Sequence, residues 1–216
     1  MYRRSLTLFG LILLSIPFSS ALAADISAVT EGIQTIQNFT AAKSRAQDIK
    51  TDVAEWEPAI GDTFVVDVGT NTGYLVHEDG RSLSFPVATG RKEYVHYIGR
   101  YYKANTPIRT WTAEQKQIKG DRRTFGVSGR FIRLFRDGEN SPYGIHSYFK
   151  VADWMQEDER YFSMGCVVVT EEIMDVIEKT FDVNEKKLTV ITTDDPQKSL
   201  EEIAARESKL RGEARS

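Results

Sequence analysis

The chain has few of the side chains that most often carry chemistry: one cysteine and three histidines among 216 residues. A single cysteine excludes a disulfide within the chain. Basic side chains do not outnumber acidic ones, since 28 lysines and arginines stand against 31 aspartates and glutamates. This balance argues against a nucleic-acid-binding protein, which needs a basic face. Because no disulfide can form within the chain, a hydrophobic core must stabilise the fold, and the chain is long enough to bury one.

Hydrophobic runs of membrane-spanning length are also absent. The apolar run from Leu6 to Phe18 is shorter than the ~20 residues that cross a bilayer. It follows Arg3-Arg4 and precedes Ala21-Leu22-Ala23, a pattern typical of a cleaved signal peptide. We therefore predict a signal peptide at residues 1–23 and no retained membrane span, with a retained anchor as the alternative. Cleavage there changes the net charge from -3 to -5.

Helical periodicity marks both ends of the mature chain. Residues 24–58 are predicted to be a helical segment, because apolar residues recur at helical spacing until Glu57-Pro58 ends the pattern. Residues 195–216 are predicted to be a charged C-terminal helix or tail, which Asp195-Pro196 begins.

The central part, residues 59–194, has a different pattern. Short runs rich in β-branched and aromatic residues are separated by turn signals such as Asp79-Gly80 and Asp137-Gly138. One helix interrupts them after Thr170, a favourable N-cap residue. We expect an antiparallel β domain with one inserted helix.

The cysteine lies in the stretch FSMGCVVVTEE, between a glycine and three valines. A cysteine nucleophile needs an open approach, backbone N–H groups for an oxyanion, and a base. Taken singly, each histidine has a plainer interpretation. His77 is predicted to be a solvated turn residue and His146 a core histidine. His96 is predicted to pack in an aromatic-rich strand, with a substrate contact as the alternative.

The combination of His146 and Cys166 favours chemistry. Sixteen residues separate His146 in SPYGIHSYF from the sequence SMGC that begins at Ser163. This arrangement resembles the signature of the L,D-transpeptidase catalytic domain, also called the YkuD family: a histidine, a spacer of that length, then Ser/Thr-x-Gly-Cys. The stretch TFVVDVGTNTGYLVHEDGRSLSFPVATG is similar to the opening of that family. The resemblance covers about residues 62–193.

The resemblance implies an α+β fold with a mainly antiparallel β-sandwich core and a catalytic domain at residues 59–194. It implies that Cys166 is the nucleophile and His146 the base. Supporting roles would fall to Ser147, whose carbonyl orients the imidazole, to Gly165, which contributes to the oxyanion pocket, and to Ser163, which braces the loop. No metal or organic cofactor is needed.

The implied function is a bacterial L,D-transpeptidase in the periplasm or cell envelope. It would act on peptidoglycan stem peptides through a thioacyl-enzyme. One alternative is a hydrolase on the same scaffold, either a carboxypeptidase or endopeptidase or an enzyme that cuts links between peptidoglycan and an envelope protein. Another is an inert cell-wall-binding module. A reactive pair predicts that Cys166 alkylates near neutral pH at a rate that depends on His146.

Two positions depart from the family pattern, and they leave substrate recognition open. Many members have a polar residue where Met164 stands, and Arg or Asn where Val168 stands. Candidate substrate-binding residues are Tyr143, Arg133 and Trp111. Of the two arginines on one predicted strand, Arg130 and Arg133, at most one can point toward the site, because alternate residues face opposite sides.

The polar segment from Asn105 to Phe125 is predicted to be a long connection, of the kind that forms lids or binding loops. Within it, Trp111 would cap the site or pin the loop to the core. Its basic residues would either meet carboxylates of stem peptides or remain solvated; they are Arg109, Lys116, Lys119, Arg122 and Arg123.

Overall fold

A computed structural model describes residues 52–97 and 99–213. The predicted signal peptide and most of the predicted N-terminal helical segment lie outside the described residues, although residues 52–55 are helical. No helix in the described ranges combines the length and apolar character needed to cross a membrane.

Strands dominate the described residues, as predicted, and helices are few. The strands are β1 (Thr63–Asp67), β2 (Thr72–Val76), β3 (Ser82–Pro86), β4 (Thr89–Gly90), β5 (Tyr94–Tyr97), β6 (Arg100–Lys103), β7 (Arg109–Ile118), β8 (Arg130–Arg136), β9 (Glu139–His146), β10 (Tyr161–Ser163), β11 (Val167–Val168) and β12 (Leu188–Thr193). Besides residues 52–55, the helices are α1 (Val151–Trp154), α2 (Glu171–Val183) and α3 (Pro196–Glu213).

Eight strands form one sheet in the order β11-β9-β8-β7-β12-β1-β2-β3. Its pairs are antiparallel except for β1 with β12 and β11 with β9, which are parallel. Two further pairs, β4 with β10 and β5 with β6, form small sheets of their own. The predicted class, α+β with a mainly antiparallel β domain, is confirmed.

The turn signals join neighbouring strands. Asp137 and Gly138 connect β8 to β9 with φ values of 50° and 79°. Positive φ at both central residues fits the right-handed twist of a two-residue hairpin, and an Asp-Gly pair tolerates it. This hairpin matters for function because its second strand leads to His146.

The two longer helices cover opposite faces of the sheet. The predicted inserted helix is α2, and Thr170 caps it by accepting a hydrogen bond from the Ile173 N–H. Its apolar face packs in the main core, whose sheet residues include Phe64 and Val66. The residue between them, Val65, points to the other face and packs with Ile203 of α3. Alternation along β1 therefore places a helix on each side of the sheet.

The predicted long connection at residues 105–125 is wrong, because it contains β7. This strand pairs with β12 on one side and with β8 on the other. Only Trp111 and Ala113 of its ten residues are buried. Polar side chains fill most of the remaining positions, so the apolar alternation that signals a strand is nearly absent.

Two histidine predictions are also wrong. His77 is buried, its Nδ1 lies 2.5 Å from Asp62 Oδ1, and its ring stacks on Trp56 with centroids 3.9 Å apart. His77 directly follows β2, and it is buried although Asp79 in the same turn is exposed. His96, expected to pack, is exposed on the β5–β6 hairpin.

Candidate active site

The single thiol lies in a short loop between β10 and β11. Ser163 holds this loop from within: its hydroxyl donates to the Cys166 carbonyl at 2.6 Å and accepts from the Gly165 N–H at 3.0 Å. Thr106 holds it from outside by donating to the Gly165 carbonyl at 3.0 Å. The Tyr102 hydroxyl donates to the Met164 carbonyl at 3.2 Å. The backbone beside the thiol is therefore fixed from two sides.

Gly165 has no possible replacement that keeps this geometry. Its φ is +116°, and a Cβ built on it would lie 2.5 Å from the ring of Tyr143. Both the backbone conformation and the space exclude a side chain. The close approach also shows that the Tyr143 ring packs directly against the loop that carries the thiol.

A parallel strand pair brings Cys166 and His146 to one face of the sheet. Val167 pairs with Ile145, and Val168 with His146. Cys166 therefore lies one step before this register, beside Gly144, whose backbone N–H faces the sulfur. Because residues two apart on a strand share a face, the thiol and the imidazole are diagonal neighbours on the same side.

The imidazole of His146 is held in one orientation and one tautomer. Its Nδ1 lies 2.6 Å from the Ser147 carbonyl oxygen. A carbonyl only accepts, so Nδ1 carries the proton and Nε2 keeps its lone pair in the neutral ring. The rings of Phe125 and Phe131 lie beside the imidazole, with centroids 5.1 Å and 5.9 Å away.

Burial keeps both groups uncharged at rest. Burial lowers the pKa of His146, although the carbonyls of Ser147 and Thr124 act in the opposite direction. Cys166 retains some exposed surface, yet burial raises the pKa of its thiol from 9.0 to about 11. The Gly144 N–H and the charge of Arg133 oppose that increase. At neutral pH the resting pair is a thiol and a neutral imidazole.

Arg133 and Arg130 point in opposite directions, as strand alternation predicts. The Arg133 guanidinium donates to the Ser141 carbonyl at 2.6 Å, and its charge acts on Cys166. Arg130 instead pairs with three carboxylates of α2, those of Glu171, Asp175 and Glu178. Only Arg133 belongs to the site.

Trp111 is part of strand β7 and not of a loop, so it does not pin a loop to the core. Its indole N–H donates to the Thr192 hydroxyl at 3.0 Å, and its ring meets the Tyr143 ring edge-on with centroids 5.7 Å apart. Trp111 therefore reaches the thiol loop only through Tyr143.

Sequence reasoning missed four residues that shape the site. Thr106 fixes the loop, Phe125 and Phe131 flank the imidazole, and Gly144 directs its N–H at the sulfur. The one available signal was a glycine two residues before a histidine in a strand, which marks a close approach of backbones. Indeed a Cβ at position 144 would lie 2.3 Å from the Phe131 ring.

The departures from the family pattern have different settings. Val168 is buried, and its backbone pairs with Ala88 in both directions at 2.8 Å. Its side chain is absent from the main core cluster, which contains Val167 and Val169, and strand alternation places it on the same face as its cross-strand partner His146. Met164 is half-buried in the thiol loop, where its backbone carbonyl accepts the hydrogen bond from Tyr102.

Across the described ranges, no three His, Cys, Asp or Glu side chains are grouped to hold a metal ion.

A family model of the L,D-transpeptidase catalytic domain, YkuD, matches residues 61–190. No curated protein sequence matches the chain.

Similar solved structures come from several bacteria. An L,D-transpeptidase from Xylanimonas cellulosilytica has 18% identity and a TM-score of 0.45, with 64% of this chain and 63% of that chain covered. A protein from Bdellovibrio bacteriovorus has 15% identity and a TM-score of 0.45, with 73% and 56% covered. An L,D-transpeptidase from Mycobacterium smegmatis has 19% identity and a TM-score of 0.43, with 62% and 58% covered. The similarity spans less than two thirds of each of these three chains.

Proposed function

Because the chain belongs to the L,D-transpeptidase catalytic-domain family, as the match to residues 61–190 shows, we propose that it is an exported cysteine transpeptidase acting on peptidoglycan stem peptides. The observation that carries this proposal is the site itself. The chain's single cysteine and a histidine of fixed tautomer lie on one face of a parallel strand pair. The enzyme would work in the periplasm or cell envelope of a bacterium.

The first half-reaction forms a thioacyl-enzyme. His146 Nε2 takes the proton from the Cys166 thiol as the sulfur attacks the carbonyl carbon between the third stem residue and the terminal D-alanine. The bond to D-alanine breaks, and the imidazolium returns the proton to the departing amine. The acyl group then remains on the sulfur. His146 is again a neutral imidazole, and the thiol proton has left with the amine of D-alanine.

The second half-reaction transfers the acyl group. His146 takes a proton from an incoming amine as the nitrogen attacks the thioester carbon, and the sulfur leaves and recovers that proton. With an amine acceptor the product is a cross-link, and with water it is a trimmed peptide. The carbonyl of Ser147 holds the imidazole in the required tautomer during both steps.

Because the Cys166 thiol and the His146 imidazole are both neutral at rest, we propose that His146 acts as a general base. A thiol with a pKa of about 11 is almost entirely protonated at neutral pH. Attack therefore requires proton transfer to His146 in the same step, or a fall in the thiol pKa when substrate binds. The nearby Arg133 charge and the Gly144 N–H both favour the thiolate as it forms.

To bind an oxyanion, the thiol loop must either rearrange or share one of its N–H donors. In the resting structure the Gly165 N–H donates to the Ser163 hydroxyl. We assign the oxyanion to the Cys166 N–H, with the Gly165 N–H shared between Ser163 and the developing charge. The charge of Arg133 acts on the thiol, the Tyr143 ring packs on Gly165, and Trp111 supports Tyr143.

A second candidate is an inert cell-wall-binding module. The raised thiol pKa favours it, because an unreactive buried cysteine has the same property. A hydrolase differs from the transpeptidase only in its acceptor, and its substrates would include stem peptides, cross-links, or links between peptidoglycan and an envelope protein.

Turnover of defined muropeptides separates these functions. The purified protein is incubated with disaccharide-tetrapeptides, and products and intact enzyme are followed by mass spectrometry. Loss of D-alanine with dimer formation supports the transpeptidase, whereas loss without dimers supports a carboxypeptidase. Cys166→Ala and His146→Ala should each abolish the thioacyl adduct, while His96→Ala, which removes an exposed histidine, should retain it. No adduct with tetrapeptide, cross-linked or protein-linked substrates would support the inert module.

A further inference from the structure

An open cleft of about 260 Å³ lies between the start of β7 and the β8–β9 hairpin. Its lining includes three charged side chains and two aromatic rings: Arg109, Arg136, Glu139, Trp111 and Tyr143.

The cleft adjoins the thiol loop through one shared residue, Tyr143. The Tyr143 ring that lines it is the same ring that packs against Gly165, the residue before the cysteine. Cys166 also contributes to the raised pKa of Tyr143, after burial as the larger cause. The Tyr143 ring therefore lies between the cleft and the thiol loop, which places the cleft beside the position of a peptide attached to Cys166.

The charge of Arg109 is the second feature of the cleft. Among the described residues Arg109 makes no ion pair, and its Nε is buried without a hydrogen-bond partner. Its guanidinium lies over the Trp111 ring, 5.1 Å from the centroid. Arg130 also has a buried Nε without a partner, but it differs from Arg109 in that three carboxylates surround its guanidinium. Since an arginine does not deprotonate, its unpaired charge favours an anionic ligand.

The backbone that presents Arg109 is rigid. The Thr192 hydroxyl donates to the Pro107 carbonyl at 2.6 Å and accepts from the Arg109 N–H at 3.1 Å. The same oxygen accepts from the Trp111 indole N–H at 3.0 Å. One buried hydroxyl thus fixes the arginine's backbone and the ring beside its guanidinium. A preorganised cation loses less freedom when it binds a ligand.

We propose that Arg109 binds a carboxylate of the peptide substrate in this cleft. The inference rests on the proposed function, which supplies a peptide with several carboxylates. Arg136, the other cation of the cleft, already pairs with Asp137 at 3.2 Å. Glu139 makes no ion pair within the described ranges, so its charge opposes a second carboxylate and orients the peptide with its anionic group at Arg109.

The test measures binding apart from catalysis. Stem tetrapeptides with free carboxylates, and derivatives in which one carboxylate at a time is a carboxamide, are titrated against the Cys166→Ala protein. Adding Arg109→Gln should weaken binding of the free peptide about 10- to 100-fold, the range for a lost charge-assisted hydrogen bond. One carboxamide derivative should bind as weakly as that and lose little more with Arg109→Gln.

The controls distinguish this cleft from a general charge effect. Arg109→Lys should recover part of the affinity, and Arg81→Gln, which removes an exposed arginine of the β2–β3 turn, should change nothing. Equal losses for every derivative, or no loss with Arg109→Gln, would overturn the inference. Failure of the proposed function would instead appear as absent turnover in the protein that retains Cys166, with the binding data still decisive for Arg109.

Discussion

The resting thiol should ionise only at high pH, and alkylation measures this directly. Burial raises the pKa of Cys166 from 9.0 to about 11. Two pH units correspond to about a hundredfold difference in thiolate, so near pH 8 about one thiol in a thousand is ionised instead of about one in ten. Iodoacetamide should therefore label the native protein about a hundredfold more slowly than it labels the unfolded chain. The rate should keep rising toward pH 11.

Substitutions of Arg133 should change the pKa of the Cys166 thiol by different amounts. The Arg133 charge lowers the pKa of the thiol, so Arg133→Gln should raise that pKa further and slow alkylation at any fixed pH below 11. Arg133→Lys keeps the charge and should have a smaller effect. Intact-mass spectrometry at several pH values yields both the midpoint and the limiting rate for each variant.

One result would refute the neutral resting pair. If the alkylation rate has its midpoint below pH 7 and His146→Ala moves that midpoint toward 9, the free enzyme holds a thiolate and an imidazolium. That result would also restore the expectation, drawn from the motif, of rapid alkylation near neutral pH. The general-base pathway proposed above would then be wrong for the free enzyme.

Three further predictions concern other parts of the protein. Because burial lowers the pKa of His146, kcat/KM should stay level as pH falls to about 6.5 and decline only below it, where the base becomes protonated. Gly165→Ala should abolish the thioacyl adduct seen by mass spectrometry, since a methyl group there meets the Tyr143 ring at 2.5 Å. Asp62→Ala should reduce the free energy of unfolding in urea by about 3 kcal/mol, because buried His77 loses its partner; an unchanged midpoint would contradict this.

The motif residues can be identified from the sequence because the pattern that they form is local. The spacing from His146 to Cys166 and the glycine before the cysteine can be read without any knowledge of the fold. The inserted helix was equally accessible, since its N-cap residue and its apolar face lie within one short segment.

What the sequence did not predict depends on distant partners. β7 forms because β8 and β12 satisfy its backbone on both sides, although its own side chains are mostly polar. His77 is buried because Asp62 supplies a hydrogen bond. Asp62 lies fifteen residues earlier, so a local sequence pattern does not predict this contact. The cleft at Arg109 likewise exists only where the start of β7 meets a separate hairpin.

The parallel pairing of β9 with β11 makes the site tolerant of changes in chain length. Parallel neighbours need a crossover, and here the crossover runs through α1 and β10 before it returns to the sheet. The pairing of Val168 with His146 positions Cys166 relative to His146, so the number of residues in the crossover does not set that separation. Insertions or deletions near α1 are therefore a route by which the surface beside the site can change while its chemistry is preserved.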